Sequence, residues 1–160
     1  MPIIELETFI QADIEIVFDL ARSIDLHKIS TQHTNEEAIA GRTSGLIELG
    51  ESVTWRAKHF GVYQTLTSKI TAFDRPNNFT DKMTKGAFKS FNHQHLFKKA
   101  NNGTVMIDIF DYQSPLSILG RVADVLFLKN YMTNLLIQRN SIIKEFDESD
   151  KWEKVLKINR

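Results

Sequence analysis

The stretch Phe91-Asn92-His93-Gln94-His95-Leu96-Phe97-Lys98-Lys99, the tripeptide Asn101-Asn102-Gly103 and the run Thr104-Val105-Met106-Ile107-Asp108-Ile109-Phe110-Asp111-Tyr112-Gln113 decide how this chain is read. In the first segment Phe91, His93, His95 and Phe97 alternate with Asn92, Gln94 and Lys98, the period of two that marks a strand with one face hidden from water. Asn-Gly between two such runs signals a hairpin. The second segment, Thr104–Gln113, is apolar on both sides: Met106, Phe110 and Tyr112 accompany Asp108 on one, and Val105, Ile107 and Ile109 lie on the other. Alternation alone therefore leaves its inward face open.

Working outward, Ser52–Phe60 and Val62–Phe73 read as two further strands turned by Gly61, with Leu66, Ser68, Ile70 and Ala72 sharing one side of the second. Asp74-Arg75-Pro76-Asn77-Asn78 is a turn, because proline presets φ and asparagine tolerates left-handed geometry. Phe79–Phe88 continues the sheet, with Gly86 expected to form a bulge in mid-strand. Four long strands joined by tight turns imply an antiparallel meander. Shorter strands are read at Pro2–Ile10 and Ala38–Ala40, the latter ended by Gly41, while Leu46–Leu49 fits either a strand or a loop. Between the first two lie two short helices. One, capped by Ala12 or Asp13, carries Ile14, Val17, Phe18 and Ala21 on one face; the other begins at Ser23 and runs through Ile29 into a polar loop over 30–35. After Ser114-Pro115 stops the sheet, a long helix is predicted over Ser117–Phe146, with Leu128, Tyr131, Met132, Leu135, Ile142, Ile143 and Phe146 on one side and a bend near Lys129–Asn130. Residues 147–160 read as a charged tail that frays or packs loosely, although Trp152, Val155, Leu156 and Ile158 argue against pure disorder.

At 160 residues the chain is read as a single domain, 1–160, with a substantial core. Twenty Lys and Arg balance twenty Asp and Glu, so the basic excess of a general nucleic-acid binder is missing. The lack of cysteine excludes disulfides, thiol catalysis and zinc–thiolate sites. Met1–Glu7 lacks the basic and apolar regions of a signal peptide, and no apolar run approaches the ~18 residues of a membrane span, so a cytoplasmic protein without integral membrane association is expected.

An α+β architecture follows: a long, twisted antiparallel sheet of about six or seven strands must cover one greasy helix. A helix only ~10 Å across leaves space under a strongly curved sheet. That space is a ligand cavity unless large side chains, among them eleven Phe, fill it. This order resembles the helix-grip fold of the START/Bet v 1-like superfamily, also called SRPBCC or polyketide cyclase/dehydrase-like. The resemblance rests on Phe9-Ile10-Gln11-Ala12-Asp13-Ile14-Glu15-Ile16-Val17-Phe18, Arg75-Pro76-Asn77-Asn78-Phe79-Thr80-Asp81, the Phe91–Phe97 segment, Thr104-Val105-Met106-Ile107-Asp108, and Tyr112-Gln113-Ser114-Pro115 leading into Leu119-Gly120. It extends over nearly the whole chain and is similar to small bacterial stand-alone ligand-binding members. It implies a hydrophobic cavity between sheet and helix, with the Met106, Asp108, Phe110 and Tyr112 side turned toward it. It implies no single activity.

His93 and His95 share an apolar strand face with Phe91 and Phe97, so both imidazoles are expected inside. Two histidines invite a metal, but a metal wants three or four ligands, and here His59 or Asp108 would have to complete the set. Histidines hydrogen-bonded in the core or lining a pocket are the simpler reading, and no metal or cofactor is expected. Asp108, if buried, must find a donor: it orients one of the histidines or forms an acid–base pair with it. Arg139 falls on the helix's apolar side, where it reaches solvent past the helix edge, pairs with Asp81, Asp108 or Glu48, or meets a carboxylate on a ligand. Trp55 and His59 share one strand side, and Phe79, Asp81 and Met83 another. The candidate ligand-binding set is Trp55, His59, Met83, Phe91, His93, His95, Met106, Asp108, Phe110, Tyr112 and Arg139, with His93, His95 and Asp108 as catalytic candidates. The leading expectation is a monomer or homodimer that binds a small apolar or amphipathic ligand. A cyclase- or hydratase-type enzyme and a protein-interaction module are the alternatives.

Overall fold

A computed structural model describes residues 2–159, with side chains to Lys157. Seven strands, β1 (Ile3–Ile10), β2 (Glu37–Gly41), β3 (Ser52–His59), β4 (Val62–Asp74), β5 (Asn78–Lys85), β6 (Ser90–Ala100) and β7 (Gly103–Gln113), form one sheet in the order β1-β7-β6-β5-β4-β3-β2. Every neighbouring pair is antiparallel. Helices α1 (Ile14–Ala21) and α2 (Ile24–Ser30) follow β1. The long C-terminal helix comprises α3 (Ser117–Ala123), a π-helical turn at Asp124–Leu128 and α4 (Lys129–Asp147). This is the expected helix-grip architecture, and no helix among the described residues is long and apolar enough to cross a membrane.

Local chemistry sets the element ends. The Asp13 carboxylate accepts from the Glu15 amide at 2.9 Å, and Ser23 Oγ accepts from the Leu26 amide at 3.1 Å, capping α1 and α2. In the β6–β7 hairpin Asn102 takes the left-handed conformation (φ 62°). Gly103 is required for another reason: a Cβ there would stand 2.3 Å from the Ile10 carbonyl oxygen. Alternation in β6 and β7 is strict, with Phe91, His93, His95, Phe97, Met106, Asp108, Phe110 and Tyr112 all buried. The even side of β7 is therefore the inner one.

The structure corrects several boundaries. Strand β5 ends at Lys85, and Gly86 lies in the bend that follows, packed closely over Leu66, instead of in a mid-strand bulge. Register irregularities fall instead between β4 and β5, at Thr67/Ser68 and Ile70/Ala72, and between β2 and β3, at Ala38/Ala40. The second of these turns Ala72 outward and brings Phe73 against the core, so Ala72 leaves the side of Ser68 and Ile70. Just upstream of Lys129–Asn130, the place of the expected bend, the helix is π-helical over Asp124–Leu128. The charged tail is ordered as α5 (Lys151–Asn159), which buries Val155 and Leu156 and contacts α1 and α4. The side chain of Ile158 lies outside the described residues. Leu46–Leu49 is loop, held by a single bridge from Leu46 to Ser23 and by buried Ile47.

Asp147, at the end of α4, is 4% exposed, and neither carboxylate oxygen has a hydrogen-bond partner among the described residues. Burial, with Glu148 adjacent, pushes its pKa up to about 8. The native state thus holds a proton that the unfolded chain, titrating near 3.8, has already released across the window between these values. The contribution of Asp147 to stability falls as pH rises through that window. Asp147→Asn is expected to remove the slope and to stabilise the protein at pH 8 more than at pH 5, as read by urea unfolding at the two pH values.

Candidate functional site

Between the concave sheet face and the long helix lies a cavity of about 480 Å³. Its wall is mostly apolar: Trp55, Leu66, Ile70, Phe79, Phe91 and Phe110 come from the sheet, and Leu128, Met132, Leu135 and Leu136 from the helix. Pockets of this size and lining take drug-sized molecules. Tyr131 and Phe60 flank one edge. There the Tyr131 hydroxyl meets His59 Nδ1 at 2.7 Å, and the Phe60 ring packs on Tyr131 and Phe127. This contact ties the helix to the β3–β4 turn. Upstream of it, Leu116, Ile118, Leu119, Val125 and Leu126 are exposed.

Against this apolar wall stands a buried charged group built from cross-strand neighbours. The pairing places Asp81 opposite His93 and His95 opposite Asp108, but the hydrogen bonds run along the diagonals. His93 Nε2 lies 2.9 Å from Asp108 Oδ1, and His95 Nε2 lies 3.0 Å from Asp81 Oδ1. His95 Nδ1 is also 3.0 Å from Asp108 Oδ1, although the pair lacks hydrogen-bond alignment. Asn140 Nδ2 donates to Asp108 Oδ2 at 2.7 Å. Arg139 Nη1 lies 3.5 Å from Asp108 Oδ1 and donates to Asn140 Oδ1, and its Nη2 donates to the Ala21 carbonyl. The imidazole rings of His93 and His95 lie 3.8 Å apart, and His95 stacks on Phe79.

Charge states follow from these contacts. Burial opposes ionisation of Asp108, but the bond from His93, the close approach of His95 and the Arg139 charge outweigh it and hold the carboxyl well below its usual range. Asp81 is lowered in the same way, burial being overcome by His95 and His93. Burial and the charge of His95 push His93 down. Burial also acts to lower His95, but Asp108 and Asp81 raise it overall. An ionised Asp108 only accepts, so a neutral His93 carries its proton on Nε2 and turns the Nδ1 lone pair toward Asp81, 3.9 Å away. Asp81, Asp108, Arg139 and a protonated His95 are then charge-balanced. The group can hold the polar end of a guest or pass a proton between His93 and Asp108.

The predicted residues separate into two sets. Trp55, His59, Phe91, His93, His95, Phe110 and Arg139 line the cavity. Asp108, Met106 and Tyr112 do not: each is fully buried behind the wall. Met83 is half-buried against the apolar group around Phe91 and is also off the wall. Of the three fates open to Arg139, it pairs internally with Asp108, whereas Glu48 pairs with Arg22 at 2.8 Å. Sequence reasoning offered Asp81 only as a partner for Arg139, although its place two residues after Phe79 put it on the inner side of β5. It also missed Tyr131 as a polar contact, and His27, which meets Glu36 at 2.8 Å and lies against Trp55. Arg22, bonded to buried Asp19, joins the wall as well. The His59–Tyr131 contact joins residues 72 positions apart and leaves no local signal in the sequence.

No family model matches this sequence, and no curated protein matches it. Solved structures do. TTHA0849 from Thermus thermophilus has 20% identity and a TM-score of 0.69 over 89% of this chain and 97% of that one. Ginseng major latex-like protein 151 from Panax ginseng has 17% identity and a TM-score of 0.67 over 92% and 98%. The di-domain ARO/CYC StfQ of the steffimycin biosynthetic pathway has 13% identity and a TM-score of 0.72, with 91% of this chain covering 50% of StfQ. Sheet order, the paired short helices and the gripped C-terminal helix, together with these superpositions, give this chain the helix-grip fold.

Proposed function

We propose that the protein binds a small hydrophobic or amphipathic molecule in the cavity between sheet and long helix, with the polar end of the guest at Asp81, His93 and His95. The observation that carries this reading is the cavity itself, about 480 Å³ of mostly apolar space into which Asp81, His93, His95 and Arg139 bring a buried charged group. Apolar walls supply affinity through burial, and a few fixed polar groups supply orientation. The long helix offers a way in. Its N-terminal half meets the sheet edge through His59–Tyr131 and Phe60–Phe127, so loosening these contacts opens the mouth without disturbing the core. An interaction module with a filled interior fits this cavity poorly.

A second reading, acid–base catalysis of the cyclase or hydratase kind, is favoured by one observation, the buried His93–Asp108 pair at 2.9 Å beside the void. An ionised carboxylate holding one imidazole tautomer is the arrangement that proton transfer needs. The ARO/CYC label of StfQ belongs to that protein, and its half-length match supports the reading only through the shared fold.

Filling the cavity separates pocket binding from surface adsorption. Ala57→Phe and Leu135→Trp add bulk from opposite walls, and each is expected to weaken saturable binding of 1-anilinonaphthalene-8-sulfonate by at least about tenfold with the fold retained by circular dichroism. Unchanged dye affinity in both variants, or no saturable binding by the wild type, would refute the proposal. His93→Ala and His95→Ala distinguish carrier from catalyst. A carrier keeps its affinity for a purely apolar probe within about threefold, since that guest draws little from the imidazoles, as fluorescence titration would record. An acid–base enzyme binds its substrate after either change but loses turnover.

A further inference from the structure

We propose that Asp81, His93 and His95 are the protein ligands of a divalent transition-metal site opening into the cavity. One donor atom from each residue lies within 4.8 Å of the other two. Asp81 Oδ1 is 3.0 Å from His95 Nε2 and 3.9 Å from His93 Nδ1. Metal–ligand bonds of about 2.0–2.2 Å need donors roughly 3–3.5 Å apart, so small side-chain adjustments close the set on an ion. The sequence offered His59 or Asp108 as the third ligand and made a metal unattractive. Cross-strand pairing supplies Asp81 instead.

The stronger argument is what lies behind the histidines. Ring nitrogens that do not ligate a metal are commonly held by a carboxylate, which fixes the tautomer and aims the other nitrogen. Here Asp108 Oδ1 is hydrogen-bonded to His93 Nε2 at 2.9 Å and lies 3.0 Å from His95 Nδ1, so a small turn of the His95 ring would bring both rings under one carboxylate. The nitrogens left over, His93 Nδ1 and His95 Nε2, are the two that face Asp81 Oδ1. Asp108 is itself fixed by Asn140 and faced by Arg139, and it lies behind the cavity wall, where it orients and does not ligate. Asp81, His93 and His95 all border the cavity, so the remaining coordination positions open toward a guest. Two imidazoles and one carboxylate with open positions suit Fe²⁺, Co²⁺ or Zn²⁺ better than Ca²⁺ or Mg²⁺. With such an ion in place of the His95 proton, Asp81, Asp108 and Arg139 leave one net positive charge, suited to an anionic or carbonyl oxygen on the guest.

The proposal stands apart from ligand binding and is tested on the chelator-stripped, untagged full chain without any organic ligand. Titration with Co²⁺ is expected to give visible d–d absorption saturating at one equivalent, with Zn²⁺ displacing it. Asp81→Asn and His93→Ala should each weaken Co²⁺ binding at least about a hundredfold, and Asp108→Asn, a positioning change, about 10–100-fold. His33→Ala, at an exposed histidine outside the cavity, should leave the titration unchanged. The proposal is overturned if the wild type takes up neither Co²⁺ nor Zn²⁺ stoichiometrically, or if Asp81→Asn and His93→Ala, folded by circular dichroism, bind as the wild type does. Dye binding measured on the same samples reports on the cavity separately, so either idea can fail alone.

Discussion

Asp108 is the constraint around which the interior is arranged. Its side chain is fully enclosed, and a carboxylate taken out of water is tolerated only if surrounding donors replace the hydration it has lost. Those donors come from different parts of the chain: His93 from the neighbouring strand, and Asn140 and Arg139 from the long helix. Arg139 in turn reaches the carbonyl of Ala21 at the end of α1. One buried charge therefore connects the middle of the sheet, the gripped helix and the first short helix. Removing any one of these partners would leave the buried carboxylate with fewer donors to replace its lost hydration, and that is costly.

The same group divides the core along its length. In β6 the order is Phe91, His93, His95, Phe97; in β7 it is Met106, Asp108, Phe110; in α4 it is Leu136, Arg139 with Asn140, then Ile143. Phe91, Phe110 and Leu136 pack in one apolar cluster, and Phe97, Met106 and Ile143 in another. The polar belt lies between them at the same level in all three elements. Charged and amide side chains satisfied by one another cannot also interdigitate with leucines and phenylalanines. The helix, about 10 Å across, cannot cover the concave face alone. The void beside the belt, bounded by residues of both clusters, follows from these two facts together.

Much of this was legible in the chain. Period-two alternation located β6 and β7, turn chemistry at Arg75-Pro76-Asn77-Asn78 and Asn101-Asn102-Gly103 separated the strands, and the 3.6-residue spacing of apolar positions marked the gripped helix. The inward histidines were readable because Phe91 and Phe97 flank them on the same face. What was hidden depended on long-range pairing. Asp81 joins His95 only through the β5–β6 register, and the irregularities of β4 arise opposite β5, with no local mark such as the one Gly86 seemed to provide. Tail residues 151–157 look like a charged surface, yet Val155 and Leu156 at one point of a helical turn suffice to dock it on α1. Helix ends also carry cues that composition hides: Gly120 lets α3 start against its own entry loop, where a Cβ would stand 2.2 Å from the Pro115 carbonyl oxygen.

The belt also bears on register. Both sides of β7 are apolar, so hydrophobic patterning by itself would tolerate turning Val105, Ile107 and Ile109 inward. A one-residue slip of that kind would carry Asp108 to the outer face, away from His93, His95 and Arg139, and turn Asp111 inward with Val105, Ile107 and Ile109. A two-residue slip would keep the faces but bring Phe110 or Met106 to the position Asp108 now holds between the imidazoles. Either alternative moves Asp108 from the position where Asn140 and His93 both reach it, and bonds to an ionised acceptor are among the stronger kind. Apolar burial is nearly indifferent to which face of β7 turns inward; the charges are not. In this fold the buried ionic group adds less to total stability than it does to uniqueness: it selects one pairing of β6 with β7 and one rotation of the helix, and that choice leaves Asp81, His93 and His95 aimed at the cavity.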